Sequence, residues 1–179
     1  MKLQTIPASL ALVILLFTPF SVFADLSSQE EGGRVSGTLA CGGNHFTRDG
    51  GAELHTTTYS LRNYASEGTI TIESVTIYDA SGSVIYDSES SGFPAPRSEL
   101  GPHQSVLFNT GAILAYDLPS DLRPIQTIFK WSASDKAPDL ELRVSVTRLA
   151  RAVSGQERAR SDGSCIVLGK SGSRGHSDR

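Results

Sequence analysis

The sequence predicts an all-β protein, specifically an antiparallel immunoglobulin-like β-sandwich of about seven or eight strands. Three observations predict it. Along most of the chain, β-branched and aromatic residues alternate with polar ones, stretches of turn-forming residues separate these runs, and strands do not alternate with helices. Trp131 beside the core face also fits this architecture.

The first 24 residues are predicted to be a secretory signal peptide. Lys2 supplies a positive charge, Leu10 to Phe23 is an apolar run, and Ala24 places a small residue before the cleavage position. The alternative is an uncleaved membrane anchor, which would need roughly 20 apolar residues. This run has only fourteen, and no other segment could span a membrane. We therefore expect an exported protein, periplasmic or secreted, with no membrane span after cleavage.

The remaining chain is predicted to hold one domain. Residues 25–33 are acidic and polar and form a flexible leader, residues 34–170 form the sandwich, and residues 171–179 form a disordered tail without apolar residues. Loss of the signal leaves 155 of the 179 residues, enough for one stable core. The net charge of −3 becomes −4 when Lys2 leaves. Nucleic acid is therefore not an expected partner, because its binding usually requires a basic surface.

Cys41 and Cys165 are predicted to form a disulfide. They are the only two cysteines, they lie far apart in the sequence, and an exported chain folds in an oxidising compartment. On the chain-entropy model a bridge over so long a loop stabilises by about 4 to 5 kcal/mol. The alternative is a reactive thiol pair, which would need a basic or helix-terminal environment to lower a cysteine pKa. No CxxC spacing or helix-opening residue indicates one.

The first half of the domain contains the clearest hairpin. A strand from Leu54 to Leu61 comes first, followed by Thr69–Asp79 and Ser83–Tyr86, which flank a turn and pair with each other. The apolar parity changes inside Thr69–Asp79, near Glu73, which indicates a β-bulge.

The second half contains a similar pattern. Gln104–Asn109 is predicted to be a short strand after the proline-containing connector Phe93–Pro96. Ile125–Ala133 and Leu140–Thr147 both alternate and are predicted to form a second hairpin. Cys165–Leu168 is predicted to be the last strand.

One short helix is a weaker candidate. It would run from Leu149 to Ala159, and Gly155 disfavours it.

Four short stretches share their strand pattern and turn chemistry with a known group of proteins. They are Ser60–Asn63, Ile70–Asp79, Leu100–Pro102 and Phe129–Ala133. Through them the region from Thr57 to about Val153 resembles an uncharacterised family of exported bacterial domains, a domain of unknown function distantly similar to the sensory rhodopsin transducer family. The resemblance implies a β-sandwich that binds a partner, and it supplies no catalytic residue.

A metal site is one candidate for chemistry. His45, Asp49, Glu53 and His55 lie within eleven residues and are flanked by glycines, and zinc accepts histidine and carboxylate ligands. The spacing matches no tight metal motif such as HExxH. The alternative is a flexible polar loop that enters a strand.

A group of arginines is the second candidate. Arg148, Arg151, Arg158 and Arg160, together with Arg143, could bind an anionic ligand through bidentate guanidinium contacts. The alternative is a solvated edge whose charges discourage aggregation.

Aromatic residues give a third candidate. Tyr64 and Tyr116 occupy loop-like positions and could stack on a glycan, whereas core packing accounts for most of the other aromatic residues.

These patterns favour a non-enzymatic binding or interaction module of the cell envelope, without a cofactor, whose partner is a glycan, a small anion or an envelope protein. One alternative is a metal-dependent enzyme that uses the His45 to His55 segment. Another is a structural envelope protein whose sheet edges pair with neighbours. No nucleophile elbow is present, and sequence alone defines no carboxylate pair, so we name no catalytic residue.

Overall fold

The computed structural model describes residues 35–116, 122–133 and 140–171. The described residues are mostly β-strand, which confirms the predicted all-β fold. The strands are β1 (Val35–Asn44), β2 (Phe46–Arg48), β3 (Glu53–Asn63), β4 (Ile70–Tyr78), β5 (Val84–Asp87), β6 (Glu99–Leu100), β7 (Ser105–Asn109), β8 (Pro124–Ala133), β9 (Leu142–Ala152) and β10 (Glu157–Ser171). One short helix, α1 (Ser88–Ser91), and two 3-10 turns, Asp49–Gly51 and Thr110–Ala112, complete the described elements.

The predicted terminal segments lie mostly outside the described residues. This applies to the signal peptide (1–24), to the leader (25–33) and to the tail after Ser171, which is the last residue of β10. Within the described ranges, no helix is long and apolar enough to cross a membrane.

The ten described strands pair antiparallel in one continuous sheet, which we describe as two layers that share β10. The β1 layer runs in the order β10-β1-β8-β4-β5, with β6 also beside β4. The β9 layer runs in the order β10-β9-β3, with β2 and β7 paired to β3. Residues 157–164 of β10 pair with β9, whereas Cys165 and the residues after it pair with β1. One strand therefore crosses from one layer to the other, as corner strands do in sandwiches.

Aromatic and branched side chains from both layers fill the space between them. Tyr59 of β3 and Phe129 of β8 bring their ring centroids within 5.5 Å, and Phe108 of β7 lies 6.1 Å from Phe129. Alternation along β8 sends Ile125, Phe129 and Trp131 inward, and all three are buried. The core thus follows the period-two pattern of the sequence.

The first predicted hairpin and its bulge are confirmed. β4 pairs antiparallel with β5, and the register of β4 against β8 shifts between Ile72 and Ser74. The extra residue, Glu73, lets Ile70 and Ile72 share the core with Val75 and Ile77, although the two pairs differ in parity.

The second predicted hairpin is wrong. β8 pairs with β1 and β4, whereas β9 pairs with β3 and β10, so Ile125–Ala133 and Leu140–Thr147 lie in different layers. Alternation shows that each strand has one buried face, but it does not identify the neighbouring strand. The short helix predicted over Leu149–Ala159 is also wrong, because β9 continues to Ala152 and β10 begins at Glu157. Gly155, with φ of 90°, lies in the turn between them.

The predicted disulfide is confirmed. Cys41 and Cys165 face each other on β1 and β10, with a Cα–Cα distance of 4.3 Å and a sequence separation of 124. Cys41 is fully buried and belongs to the core.

Gly37 on β1 provides a test of the core. A Cβ at this position would lie 2.7 Å from the indole nitrogen of Trp131, whose ring is itself buried. We expect Gly37→Ala to destabilise the fold by about 1 to 3 kcal/mol, since overpacking forces side chains or backbone to move. Chemical denaturation measures this loss. The matched control is Gly169→Ala on β10, where nothing lies within 4 Å. An equal loss in both variants would contradict the packing argument.

Candidate functional site

His45, the first of the predicted metal ligands, is buried in the corner between β1 and β2. Its Nε2 donates to the backbone oxygen of Ala115 at 2.8 Å, and its Nδ1 lies 3.2 Å from the hydroxyl oxygen of Thr110. Its ring stacks on Tyr116, with centroids 4.4 Å apart. These contacts connect the corner to residues 110–116, so the His45 side chain has a structural role.

The other three predicted ligands lie in the β2–β3 hairpin. His55 Nε2 is 2.5 Å from the Oε1 oxygen of Glu53, and the His55 ring stacks on Phe46 with centroids 4.0 Å apart. Asp49 is exposed in the 3-10 turn at the hairpin end. Among the residues that the structure describes, no group of three or more His, Cys, Asp or Glu could hold a metal ion. The four predicted ligands are therefore not brought together as one site, because His45 turns into the core.

The two predicted glycan-stacking tyrosines differ in exposure. Tyr64 is 62% exposed, and its hydroxyl accepts a hydrogen bond of 2.9 Å from Arg62 Nη1. Tyr116 is half-buried against His45, and burial raises the pKa of its phenol. Of these two tyrosines, only Tyr64 has a ring that is largely exposed to solvent.

Two of the four predicted anion-binding arginines, Arg148 and Arg160, line one groove, although they start from different faces of the β9 layer. Residues directly opposite each other on paired strands share a face, and Arg160 lies opposite Leu149 whereas Arg148 lies opposite Ser161. Adjacent positions on β9 point to opposite faces, so Arg148 and Arg160 project from opposite faces of the β9 layer.

The remaining arginines of this group lie on the surface. Arg151 and Arg158 are exposed, and Arg151 is opposite Glu157. Arg143 pairs with Glu141 at 2.9 Å. Arg148 is thus the one member of the group that is half-buried.

The structure adds a surface that the sequence did not indicate. Ile166, Val167 and Leu168 on β10 are 69%, 51% and 59% exposed. From Cys165 onward β10 pairs with β1 along one edge, and within the described residues no strand pairs with its other edge. We call this unpaired edge and its three apolar side chains the β10 edge. The sequence feature that could have indicated this surface is the run of three consecutive apolar residues. A strand with one face in the core and one face in solvent would instead alternate apolar and polar residues.

Comparison with protein-family models, curated proteins and solved structures finds no match to this chain. The resemblance to the exported domain family and the sensory rhodopsin transducer proteins therefore stays a prediction.

Tyr59 is buried in the core, where the charge of Arg148 acts on its phenol. Its hydroxyl accepts a hydrogen bond of 2.8 Å from Thr127 Oγ1 across the two layers. Burial raises the pKa of Tyr59 from 10.0 to about 12, and the Thr127 hydrogen bond and the Arg148 charge act in the opposite direction.

Because this folded-state pKa lies above the unfolded value, the contribution of Tyr59 to stability is complete below pH 10. It is lost as the pH rises toward 12. A shift of this size corresponds to about 3 kcal/mol. We expect Tyr59→Phe to flatten the decline of the unfolding free energy above pH 10, measured by urea denaturation at several pH values. Tyr64→Phe on the surface is the control, and an unchanged slope in Tyr59→Phe would refute the assignment.

Proposed function

We propose that this protein is a non-enzymatic binding module of the cell envelope, periplasmic or secreted, that captures an extended segment of another envelope protein at the β10 edge. The observation that carries the proposal is the exposure of Ile166, Val167 and Leu168 on a strand edge that no other described strand pairs with. An extended segment that pairs with this edge would add one strand to the β1 layer.

The backbone of an unpaired edge is a template for strand addition. Its N–H and C=O groups can form the same ladder as a neighbouring strand, and alternate side chains then give specificity. Natural edges are usually blocked by charged residues, proline or bulges. Cys165 to Gly169 contain no charge and no proline, and Lys170 is the first charged residue after them.

The other strands at the ends of the two layers are less suited to this role. β5 exposes one large apolar side chain, Val84, and ends in Asp87. β7 exposes Leu107, which has the polar residues Ser105 and Asn109 on either side of it on the same face. Strand addition at either edge would bury less apolar surface than at the β10 edge, and apolar burial is the main source of affinity.

The disulfide supports the proposed location. Cysteine pairs of this kind persist in oxidising compartments outside the cytoplasm. The apolar segment Leu10–Phe23, predicted to be a signal peptide, would direct the chain there.

A photo-crosslinking amino acid tests the proposal. Leu168→p-benzoylphenylalanine in cells that export the protein should give covalent adducts to one extended segment of an envelope protein, identified by mass spectrometry. Adding Ile166→Lys should reduce the adduct yield about tenfold, equivalent to 1.4 kcal/mol of binding. Such a loss is reasonable because a lysine on an edge opposes strand pairing.

The matched control places the same crosslinker at Leu107, which is also 62% exposed but lies on β7. Adducts of the same segment from both positions, or none from position 168, would exclude strand capture at β10.

A further inference from the structure

We propose that the groove beside Arg148 binds a small oxyanion, namely a carboxylate, phosphate or sulfate group. The groove is a different surface from the β10 edge, and oxyanion binding there does not depend on strand capture. It assigns a role to the one member of the predicted arginine group that faces the interior of the sandwich.

The groove lies where β10 leaves β1. The two strands pair up to Cys41 and Cys165, and before Cys165 β10 pairs with β9 instead. Gly42 to Asn44 of β1 and residues 159–163 of β10 therefore belong to different layers, and a groove of about 130 Å³ lies beside them. Two arginines line it, Arg148 and Arg160. The other lining residues are Asn44, His55, Thr56, Leu149, Ala150, Ala159 and Ser161.

Glycine on each of these two strands makes room for the guanidinium group. A Cβ on Gly163 would lie 3.2 Å from Arg148 Nη1, which is tighter than ordinary van der Waals contact. A Cβ on Gly42 would lie 3.4 Å from Nη2, and that nitrogen donates to the Gly42 backbone oxygen at 3.3 Å. The backbone thus holds the side chain at the mouth of the groove and leaves its other N–H groups available.

The charge of Arg148 has no acidic partner among the described residues. Arg143 pairs with Glu141 at 2.9 Å, and Arg160 lies 3.7 Å from Asp162, whereas no carboxylate oxygen of the described residues lies within 4.0 Å of Arg148. A guanidinium carries five N–H donors, and the structure gives this one a single hydrogen bond within the described part of the chain. A half-buried guanidinium with free N–H donors and no acidic partner among the described residues can bind an anion through charge-assisted hydrogen bonds.

The size of the groove defines the ligand class. Sites for drug-sized ligands have volumes of roughly 300 to 1,000 Å³, so a groove of about 130 Å³ accommodates one acidic group. Arg148 supplies a planar fork that matches an oxyanion in bidentate fashion. Ser161 and Asn44 add polar groups to the lining, while His55 Nε2 is already engaged by Glu53.

The test is a set of NMR titrations of the mature, disulfide-bonded protein at constant ionic strength. The probes are sodium phosphate, sodium acetate and a triglutamate peptide. We expect saturable shifts of the Gly42, Ser161 and Gly163 amide signals and of the Arg148 Nε signal. Phosphate or acetate binding would identify a free ion as sufficient, whereas binding of triglutamate alone would identify a carboxylate carried by a protein.

Two variants and one control complete the design. Arg148→Gln should raise the dissociation constant at least about tenfold, since it removes a charge-assisted pair. Gly163→Ala keeps the charge but displaces the guanidinium, so a smaller weakening is expected. Arg143→Gln removes an exposed arginine on the outer face of β9 and should leave binding unchanged.

The wild-type titration decides the question even if a variant fails to fold. Absence of saturable shifts with all three probes, or shifts confined to residues away from the groove, would overturn the proposal. Equal affinity in Arg148→Gln and wild type would overturn it as well.

Discussion

The architecture depends on the crossing of β10 between the two layers and on the disulfide that fixes it. Ser164 is the last residue of β10 that pairs with β9, and Cys165 is the first that pairs with β1. The Cys41–Cys165 bridge therefore lies at the crossing point. It closes a loop with a sequence separation of 124, for which the chain-entropy model gives about 5 kcal/mol. The disulfide therefore fixes the register of the two layers at the position where they meet.

Both proposed surfaces follow from this crossing. Among the described strands, β10 has only one neighbour in each layer, so each half of β10 keeps an edge that no described strand pairs with. In the β1 layer the unpaired edge carries Ile166, Val167 and Leu168. In the β9 layer the departure of β10 from β1 opens the groove beside Arg148. A closed barrel would remove both features, because barrels have no edges.

The sequence predicted the strands better than their partners. Alternation along β8 and β9 identified the buried face of each strand correctly, but it contains no information about which strand lies alongside. The predicted pairing of β8 with β9 therefore failed. β1 escaped prediction because Gly37, Gly42 and Gly43 weaken its strand pattern. At two of these positions the structure leaves no room for a side chain. Gly37 packs against Trp131, and a Cβ on Gly43 would lie 2.6 Å from the Tyr59 hydroxyl oxygen.

Candidate sites were harder to predict than strands, since they depend on which face a side chain occupies. The chain places Arg148 and Arg160 only twelve positions apart. The register of β9 against β10 puts them on opposite faces, and both residues line the groove beside Arg148. His45 and His55 have different surroundings. His45 is buried against residues 110–116, whereas His55 contacts Glu53 and Phe46.

The groove beside Arg148 and the β10 edge are nevertheless connected by one strand, β10. Ser161 and Leu168 are about 20 Å apart along one extended strand. A small ion bound beside Arg148 therefore does not contact the β10 edge, whereas an extended protein segment is long enough to contact both surfaces. Coupling between them would require β10 to change its register, and the disulfide opposes such a change. Oxyanion binding and strand capture are therefore expected to contribute independently to affinity for any partner that engages both.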